Sequence, residues 1–332
     1  MKKLVTLKEL SLELGVSVST VSKALNNDPT IGHYTRERVE HLARARHYIP
    51  NQVARNFQRR RSLTIGLIVP NVLDQFFVQA INGVDEVATA KQYSVLVSQT
   101  LDVESRSNAI LDLMRLDGVD GLIATITPNT TNLTPYRQLE AAGIPVVYIA
   151  RSLNDPACAQ VTLLNTDSAR IATNFLLDRG HQQLAYINGP TNVNASQQRR
   201  TGFEQALQDR HRLADGTIYQ PNSLTAADTD AIMAKAMARA DYPTGILAFK
   251  TYMAIDAITY LKRTYPERLD QIEFVGFGNL PLLKHLSHKP AASIEENPGL
   301  MGQEAMRLLM QLISDKPAES THIEVPGELV VH

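Results

Sequence analysis

The stretch TLKELSLELGVSVSTVSKALNN, residues 6–27, decides the fold at the start of this chain. Thr6 and Glu9 have the spacing of a capping box, in which each side chain satisfies a free backbone amide at the start of a helix. Gly15 can adopt the left-handed conformation that ends a helix, and Ser17 supplies the next N-cap. The sequence therefore predicts two short helices joined by a turn of about three residues, a helix-turn-helix.

Helical periodicity divides these helices into buried and exposed faces. On the second helix, Val21, Ala24 and Leu25 fall at positions i, i+3 and i+4 and are expected to point inward. The outward face then holds Val18, Ser19, Ser22 and Lys23. A third helix is predicted from near Thr35 and is stopped by Pro50. Its inner face holds Val39, Leu42 and Ala43. The alternative interpretation is a small helical domain with no role in DNA binding.

The charge of the chain is unevenly distributed. Residues 1–61 hold twelve Lys or Arg against five Asp or Glu, a net charge of +7, whereas the whole chain carries −1, which leaves −8 for residues 62–332. Lys and Arg neutralise phosphates and release counterions. A basic amino-terminal part on an acidic remainder therefore predicts a polyanion partner, double-stranded DNA.

Three segments resemble the LacI/GalR family of bacterial transcription regulators, and the resemblance extends over essentially the full chain. The segments are VSVSTVSKALNN (residues 16–27), Thr35–Val39, and YIPNQVARNF (residues 48–57). The resemblance implies a helix-turn-helix DNA-binding domain over residues 1–50 and a hinge helix with a linker over residues 51–62. In the family the hinge segment, here Asn51 to Phe57, is helical only on the operator, and so short a helix is unstable alone in water.

The resemblance and the exposed faces together predict the DNA-contacting residues. Phe57 stands where the family usually has a leucine that wedges into the minor groove, a role that phenylalanine also fills; the alternative is a hydrophobic anchor. Val18 and Ser19 occupy the paired base-contacting positions. Lys23 replaces a more common arginine and lacks its planar fork for guanine, so we expect an unusual operator sequence. The full set is Thr6, Ser17, Val18, Ser19, Thr20, Ser22, Lys23, Asn26, Thr35, Tyr48, Asn51, Val53, Ala54 and Phe57.

From Leu63 onward, short apolar runs such as LTIGLIVP (63–70) and IPVVYIA (144–150) alternate with helical patterns. Near-continuous apolar strands between helices predict buried parallel sheets, a doubly wound α/β architecture. The family resemblance implies the two-lobed fold of periplasmic sugar-binding proteins. We expect the amino-terminal lobe to hold residues 63–162 and 293–325, and the carboxyl-terminal lobe to hold residues 163–292 and 326–332.

Ligands in such folds bind beyond the carboxyl ends of the strands, between the lobes. The predicted effector-binding residues there are Asn71, Phe76, Phe77, Thr125, Arg151, Arg199, Lys250 and Asn279. By resemblance, Phe76 and Phe77 lie where relatives stack an aromatic ring on the effector, with core packing as the alternative. Arg199 matches the ligand-binding arginine of the family, with a surface or interlobe salt bridge as the alternative.

Four positions depart from the pattern of sugar-binding relatives, which often place Asp before Arg151, Asn-Asp at 250–251 and Asp at 278. This chain instead has Ala150, Lys250-Thr251 and Gly278. Arg151, Arg199 and Lys250 are then expected to make the cleft basic, which predicts an anionic effector such as a sugar phosphate or a sugar acid. A neutral sugar is the rival prediction, and a cleft that has lost its ligand is a third.

Other functional classes lack their motifs. No Gly-x-Gly-x-x-Gly follows a strand, and there is no P-loop or nucleophile elbow, so we expect neither enzyme activity nor a cofactor. No apolar run reaches the roughly 18 residues of a membrane span, and no secretory signal is evident, so a cytoplasmic protein is expected. Cys158 is the single cysteine, which excludes an intramolecular disulfide and a multi-thiolate metal site and indicates an inert thiol.

The predicted function is a sequence-specific DNA-binding transcriptional regulator, a repressor whose operator affinity is switched by an effector between the lobes. Because one head covers only half of an operator, a homodimer is expected. The terminal segment VPGELVVH shows no heptads, so a dimer is preferred to a tetramer. The alternative is a free small-molecule-binding protein of the periplasmic type, which would need export and would not need a basic helix-turn-helix.

Overall fold

The computed structural model describes residues 5–48, 61–151, 153, 155, 157–221, 223–314 and 320–332. The chain divides into two compact units, Met1–Ser62 and Leu63–His332. We call the described residues 5–48 of the first unit the head, and the second unit the body.

The head contains three helices, α1 (Leu7–Leu14), α2 (Val18–Leu25) and α3 (His33–Ala45). Leu10, Val21, Ala24 and Val39 form its core and are almost fully buried, while the flanking leucines, Leu42 among them, are half-buried. α3 begins two residues earlier than the expected start near Thr35, because Gly32 provides the extended N-cap backbone without a capping side chain. The predicted helix-turn-helix with a third supporting helix is confirmed.

The body contains twelve strands and eight α-helices among its described residues. The strands are β1 (Thr64–Val69), β2 (Ser94–Gln99), β3 (Gly121–Ala124), β4 (Val146–Ile149), β5 (Ala159–Leu163), β6 (Leu184–Ile187), β7 (Gly216–Tyr219), β8 (Gly245–Ala248), β9 (Glu273–Phe277), β10 (Ala292–Glu295), β11 (His322–Val325) and β12 (Glu328–Val331). The helices are α4 (Gln75–Ala90), α5 (Glu104–Asp117), α6 (Thr134–Ala141), α7 (Asn165–Asp178), α8 (Asn194–Asp209), α9 (Ala226–Met237), α10 (Thr251–Thr264) and α11 (Pro298–Ile313). Short 3-10 helices lie at Leu213–Asp215, Pro266–Gln271 and Pro281–His285.

These strands form two six-stranded sheets, one in each lobe. The first sheet has the order β11-β5-β4-β3-β1-β2 and is parallel throughout, with Ile65 opposite Gly121 in the β1–β3 register. The second has the order β12-β10-β9-β8-β6-β7 and is parallel except for the pairing of β10 with β12. The central strands are buried on both faces, as expected of a parallel sheet covered by helices. The predicted doubly wound architecture is confirmed.

The chain crosses between the lobes three times, after β5, between β10 and α11, and between β11 and β12. The expected return at residue 293 falls inside β10, which pairs with β9 and β12 in the second sheet. The return to the first lobe therefore begins after Glu295. The short run ASIE of β10 was not recognised as a strand because it has only four residues and ends in a charge.

The helix that returns to the first lobe, α11, packs very closely on α4. A Cβ on Gly83 would lie 2.0 Å from the Gly299 carbonyl oxygen, and one on Gly302 would lie 2.1 Å from the Ala80 carbonyl oxygen. Only glycine permits this approach of two backbones. The close crossing fixes α4, whose first residues follow the loop at the end of β1.

Candidate functional sites

Helix caps in the head define the ends of α1 and the start of α2. The Thr6 amide donates to Glu9 Oε2 at 2.8 Å and the Glu9 amide donates to Thr6 Oγ1 at 3.3 Å, so the predicted capping box is present. Gly15 ends α1 at φ 67°, in the left-handed region. Ser17 then caps α2 by accepting from the Thr20 amide at 3.0 Å. The capping box therefore fixes the start of α1, and Gly15 and Ser17 fix where α2 begins.

The outward face of α2 carries the side chains that were assigned to base contacts. Val18 is 43% exposed, and Ser19 and Lys23 are exposed beside it. The hydroxyls of Ser19 and Thr20 lie 2.7 and 2.8 Å from Ser17 Oγ, so a small hydrogen-bonded hydroxyl cluster surrounds the helix start. The remaining predicted residues of the head, Ser22, Asn26, Thr35 and Tyr48, are half-buried or exposed. An exposed polar face at a helix N-terminus suits phosphate and base contacts.

The predicted hinge contacts Asn51, Val53, Ala54 and Phe57 lie outside the described residues, as do Arg59 and Arg60.

Two arginines of the head make contacts that stabilise its own fold. Arg46 pairs with Glu13 at 2.8 Å, which joins α3 to α1, and the hydrogen bond to Glu13 raises the pKa of the Arg46 guanidinium. Arg36 donates to the carbonyl oxygens of Asp28 and Ile31 at 3.1 and 3.3 Å and holds the loop before α3. Sequence reasoning counted both as charges for DNA. The Glu13 partner lies 33 residues from Arg46, so no local pattern indicates the pair.

In the body, the loops at the carboxyl ends of the two sheets face each other across the space that we call the cleft. A cavity of about 200 Å³ lies there, lined from the first lobe by Ile126, Thr127, Pro128, Thr130, Arg151 and Leu153 and from the second by Asn192, Val193 and Asn194. Asn192 Nδ2 donates to Asn129 Oδ1 across the cleft at 2.7 Å. Arg151 is the predicted effector residue that lines the cavity. Thr130 and Asn192 were missed, although each follows the end of a predicted strand.

Arg199 is the most enclosed cation of the second lobe, with 5% exposure. It donates to Asn165 Oδ1 at 2.8 Å, to the Phe249 carbonyl oxygen at 2.7 Å and to Glu296 Oε1 at 2.6 Å. Its guanidinium carbon also lies 3.6 Å from the ring centroid of Phe277, within reach of a cation–π interaction. The salt-bridge alternative therefore describes Arg199 in this structure, with the half-buried Glu296 as its partner.

The other two predicted cations are paired as well. Arg151 makes a bidentate pair with Asp102, at 2.6 and 3.0 Å, and donates to the Ile126 carbonyl oxygen. Lys250 Nζ lies 2.9 Å from Asp74 Oδ2, across the cleft. The expectation that replaced aspartates leave a basic cleft is wrong, because each cation meets a carboxylate. Those acids follow the ends of strands β1, β2 and β10, which is the signal that could have found them.

The remaining predicted effector residues differ in their positions. Phe77 is 7% exposed and belongs to the apolar core, which confirms core packing for it, whereas Phe76 is half-buried and meets the Phe77 ring edge to face at 5.0 Å. Thr125 is fully buried at the end of β3, and its Oγ1 has no hydrogen-bond partner among the described residues. Asn71 accepts from the Leu73 amide at 2.9 Å, and Asn279 is half-buried after β9.

The two units match two family models. Residues 65–317 match the periplasmic binding protein domain, and residues 6–51 match the bacterial regulatory proteins of the lacI family. The chain belongs to the lacI family. It is accordingly a DNA-binding transcriptional regulator with an effector-binding body, and the resemblance seen in its motifs is confirmed. The helix-turn-helix head and the net charge of +7 on residues 1–61 favour this function over a free small-molecule-binding protein.

Relatives of this lacI-family chain span its whole length. The ribose operon repressor of Halalkalibacterium halodurans is 29% identical, covering 98% of this chain and 96% of the relative. The HTH-type transcriptional repressor CytR of Escherichia coli strain K12 is 27% identical, covering 98% and 95%. The lac repressor dimer bound to operator and the anti-inducer ONPF superposes with a TM-score of 0.84 at 23% identity, covering 99% and 98%. These relatives are transcriptional regulators rather than enzymes.

No helix among the described residues is both long and apolar enough to cross a membrane.

Proposed function

We propose that this lacI-family regulator is a cytoplasmic homodimeric repressor that binds a pseudo-palindromic operator and changes its affinity when a small molecule enters the cleft. The observation that carries the proposal is the exposed outer face of α2, whose start is fixed by the Gly15 and Ser17 caps, in an amino-terminal part (residues 1–61) with a net charge of +7. One head covers half a site, so two heads related by a two-fold axis are needed for a full operator. The chemistry is binding alone, without a catalytic step.

An apolar surface on the first lobe supports the dimer. Val72 and Leu73 follow β1, and Leu101 and Val103 follow the edge strand β2; all four are exposed, Leu73 at 86%. The Leu101 amide donates to the Pro70 carbonyl oxygen at 2.8 Å, so the two loops lie side by side. Contiguous exposed apolar side chains of this kind mark association surfaces. We assign this surface to the second copy of the chain.

The effector is proposed to be a neutral polyhydroxylated molecule of sugar size, not an anion. Arg151, Arg199 and Lys250 each face a carboxylate within 3.0 Å, so an added anion would have to compete with charges already in place. The cavity instead offers the hydroxyls of Thr127 and Thr130 beside the Asn192 amide. Such neutral donors and acceptors match sugar hydroxyls. The ribose operon repressor among the relatives supports the same class.

The DNA part is tested by selecting bound sequences from a random DNA pool at moderate salt. Full-length protein is compared with a chain that lacks residues 1–61. A two-fold symmetric motif that disappears with the deletion is expected. Retention of the same motif by the shortened chain, or no enrichment by the full-length chain with or without added sugars, would contradict the proposal.

The effector part is tested by calorimetry with paired ligands that differ only in a phosphate, such as ribose and ribose 5-phosphate, and by including nucleosides. Binding of neutral members of the pairs is expected, with equal or weaker binding of the phosphorylated members. Binding confined to the phosphorylated members would restore the anionic effector and exclude the neutral one.

A further inference from the structure

The second lobe extends one charged side chain to the first. Lys250 is the last residue before α10, and its Nζ lies 2.9 Å from Oδ2 of Asp74 in the loop that follows β1. Both side chains are partly enclosed, with 38% of Lys250 and 24% of Asp74 exposed. Solvent screening is therefore weaker than for an exposed surface pair.

Asp74 is held in place before it meets the lysine. Its Oδ1 accepts from the Phe76 amide at 3.0 Å and caps α4, while Oδ2 remains for Lys250. A carboxylate already fixed by a helix cap loses little further freedom when it binds a cation. On the other side, Thr251 Oγ1 donates to the Gly278 carbonyl oxygen at 2.6 Å and fixes the start of α10 next to Lys250. Both residues of the ion pair therefore lie at helix starts that are fixed by hydrogen bonds.

The lobes also meet at the neighbouring strands, where Asn192 donates to Asn129. β1 and β3 are adjacent in the first sheet, and β6 and β8 are adjacent in the second. The ion pair joins the loops after β1 and β8, and the amide pair joins the loops after β3 and β6. Among the described residues, two side-by-side contacts therefore join the lobes at these strands, one charged and one neutral.

We propose that the Asp74–Lys250 ion pair is a built-in latch that holds the cleft closed when no effector is bound. This inference rests on the proposed function of the cleft as the effector site and adds how that site is regulated. The ammonium is tethered to the chain, so it favours the closed state at every ligand concentration. An effector shifts the equilibrium only by the difference in its affinity for the two states. Because the latch already favours the closed state, effector binding increases the population of that state by less than it would without the latch.

Hydrogen exchange of the effector-free, full-length protein tests the latch. Asp74→Asn keeps a helix-capping side chain and removes the charge, Lys250→Gln removes the ammonium, and the double variant completes a cycle. Asp230→Asn is the matched control, because it removes an ion pair with Arg263 that lies within the second lobe. Exchange is followed at residues 127–130 and 192–196, which lie at the cleft but outside the ion pair.

The latch predicts exchange about fivefold faster at both cleft segments in each single variant, no further increase in the double variant, and no change in the control. Unchanged protection in both single variants would overturn it. So would increases that multiply in the double variant, or equal increases in β1 and β3, because these indicate independent loosening of the fold. Effector binding by the unaltered protein is measured separately by calorimetry, so failure of the proposed effector site is distinguished from failure of the latch.

Discussion

The polar side chains on the outer face of α2 in the head are exposed, whereas the cations of the cleft are paired with carboxylates. On α2, the polar side chains of Ser19 and Lys23 are exposed beside the apolar Val18 and are accessible to a partner. In the cleft, Arg151, Arg199 and Lys250 are each bound by a carboxylate of the same chain. A surface that recognises DNA is complete only with its partner, whereas the cleft in this state satisfies its own charges. The comparison indicates that an effector must rearrange existing contacts, while DNA adds new ones.

The largest loss of stability is expected at Arg199, the cleft cation with the most hydrogen-bond partners. Arg199→Met should cost about 3–5 kcal/mol of body stability, because it leaves the half-buried Glu296 carboxylate and the Phe249 carbonyl oxygen without their donor. The neighbouring Arg200, which is more exposed and pairs with Glu204 at 2.9 Å, is the matched control, and Arg200→Met should cost about 1 kcal/mol or less. Denaturant unfolding of both variants measures the difference. Equal losses would show that the Arg199 network is not a stabilising unit.

The second prediction tests whether the head unfolds independently of the body. Leu10→Ala should destabilise the head by about 3 kcal/mol, because it opens a cavity in a core of only a few side chains. Leu12, which is 74% exposed on the same helix, is the control, and Leu12→Ala should leave stability nearly unchanged. Operator binding should be lost in the first variant while the thermal transition of the body is kept. A shift of the body transition by Leu10→Ala would contradict separate units.

These two predictions also show what sequence could and could not provide. The head was predictable because its signals are local: the capping box of Thr6 and Glu9, the left-handed Gly15 and the Ser17 cap lie within twelve residues of one another. The central strands were predictable because buried parallel strands are continuous apolar runs. By contrast, Asp102 and Arg151 are 49 residues apart, and Arg199 and Glu296 are 97 apart. No periodicity connects such partners, so the residues of the cleft were located while its charge balance was misjudged.

The third prediction concerns base recognition by the exposed face. Substituting Val18 or Ser19 should change which bases are preferred, with about 1–3 kcal/mol of discrimination at the affected positions. Removing the charges of Arg59 to Arg61 should instead weaken binding to all sequences and lower the dependence of affinity on salt. Binding-site selection for both sets, with salt titrations, separates the two effects. The same sequence-independent loss in both sets would remove Val18 and Ser19 from the base-contacting positions.

The smallest loss of stability is expected at the ion pair of Arg179 with Glu273, which is remote from both sites. The Arg179 guanidinium hydrogen-bonded to Glu273 lowers the pKa of that carboxyl below its ordinary value, and a second bond to His181 acts in the same direction. A lowered folded-state pKa gives stability that is present above the ordinary glutamate pKa of about 4.3 and is lost as the pH falls through the folded value. Glu273→Gln should therefore cost about 1 kcal/mol at pH 7 and flatten the acid limb of the stability curve. Glu267→Gln, at an exposed glutamate, should leave that limb steep, and an equally flat limb in both variants would show that Glu273 is not its source.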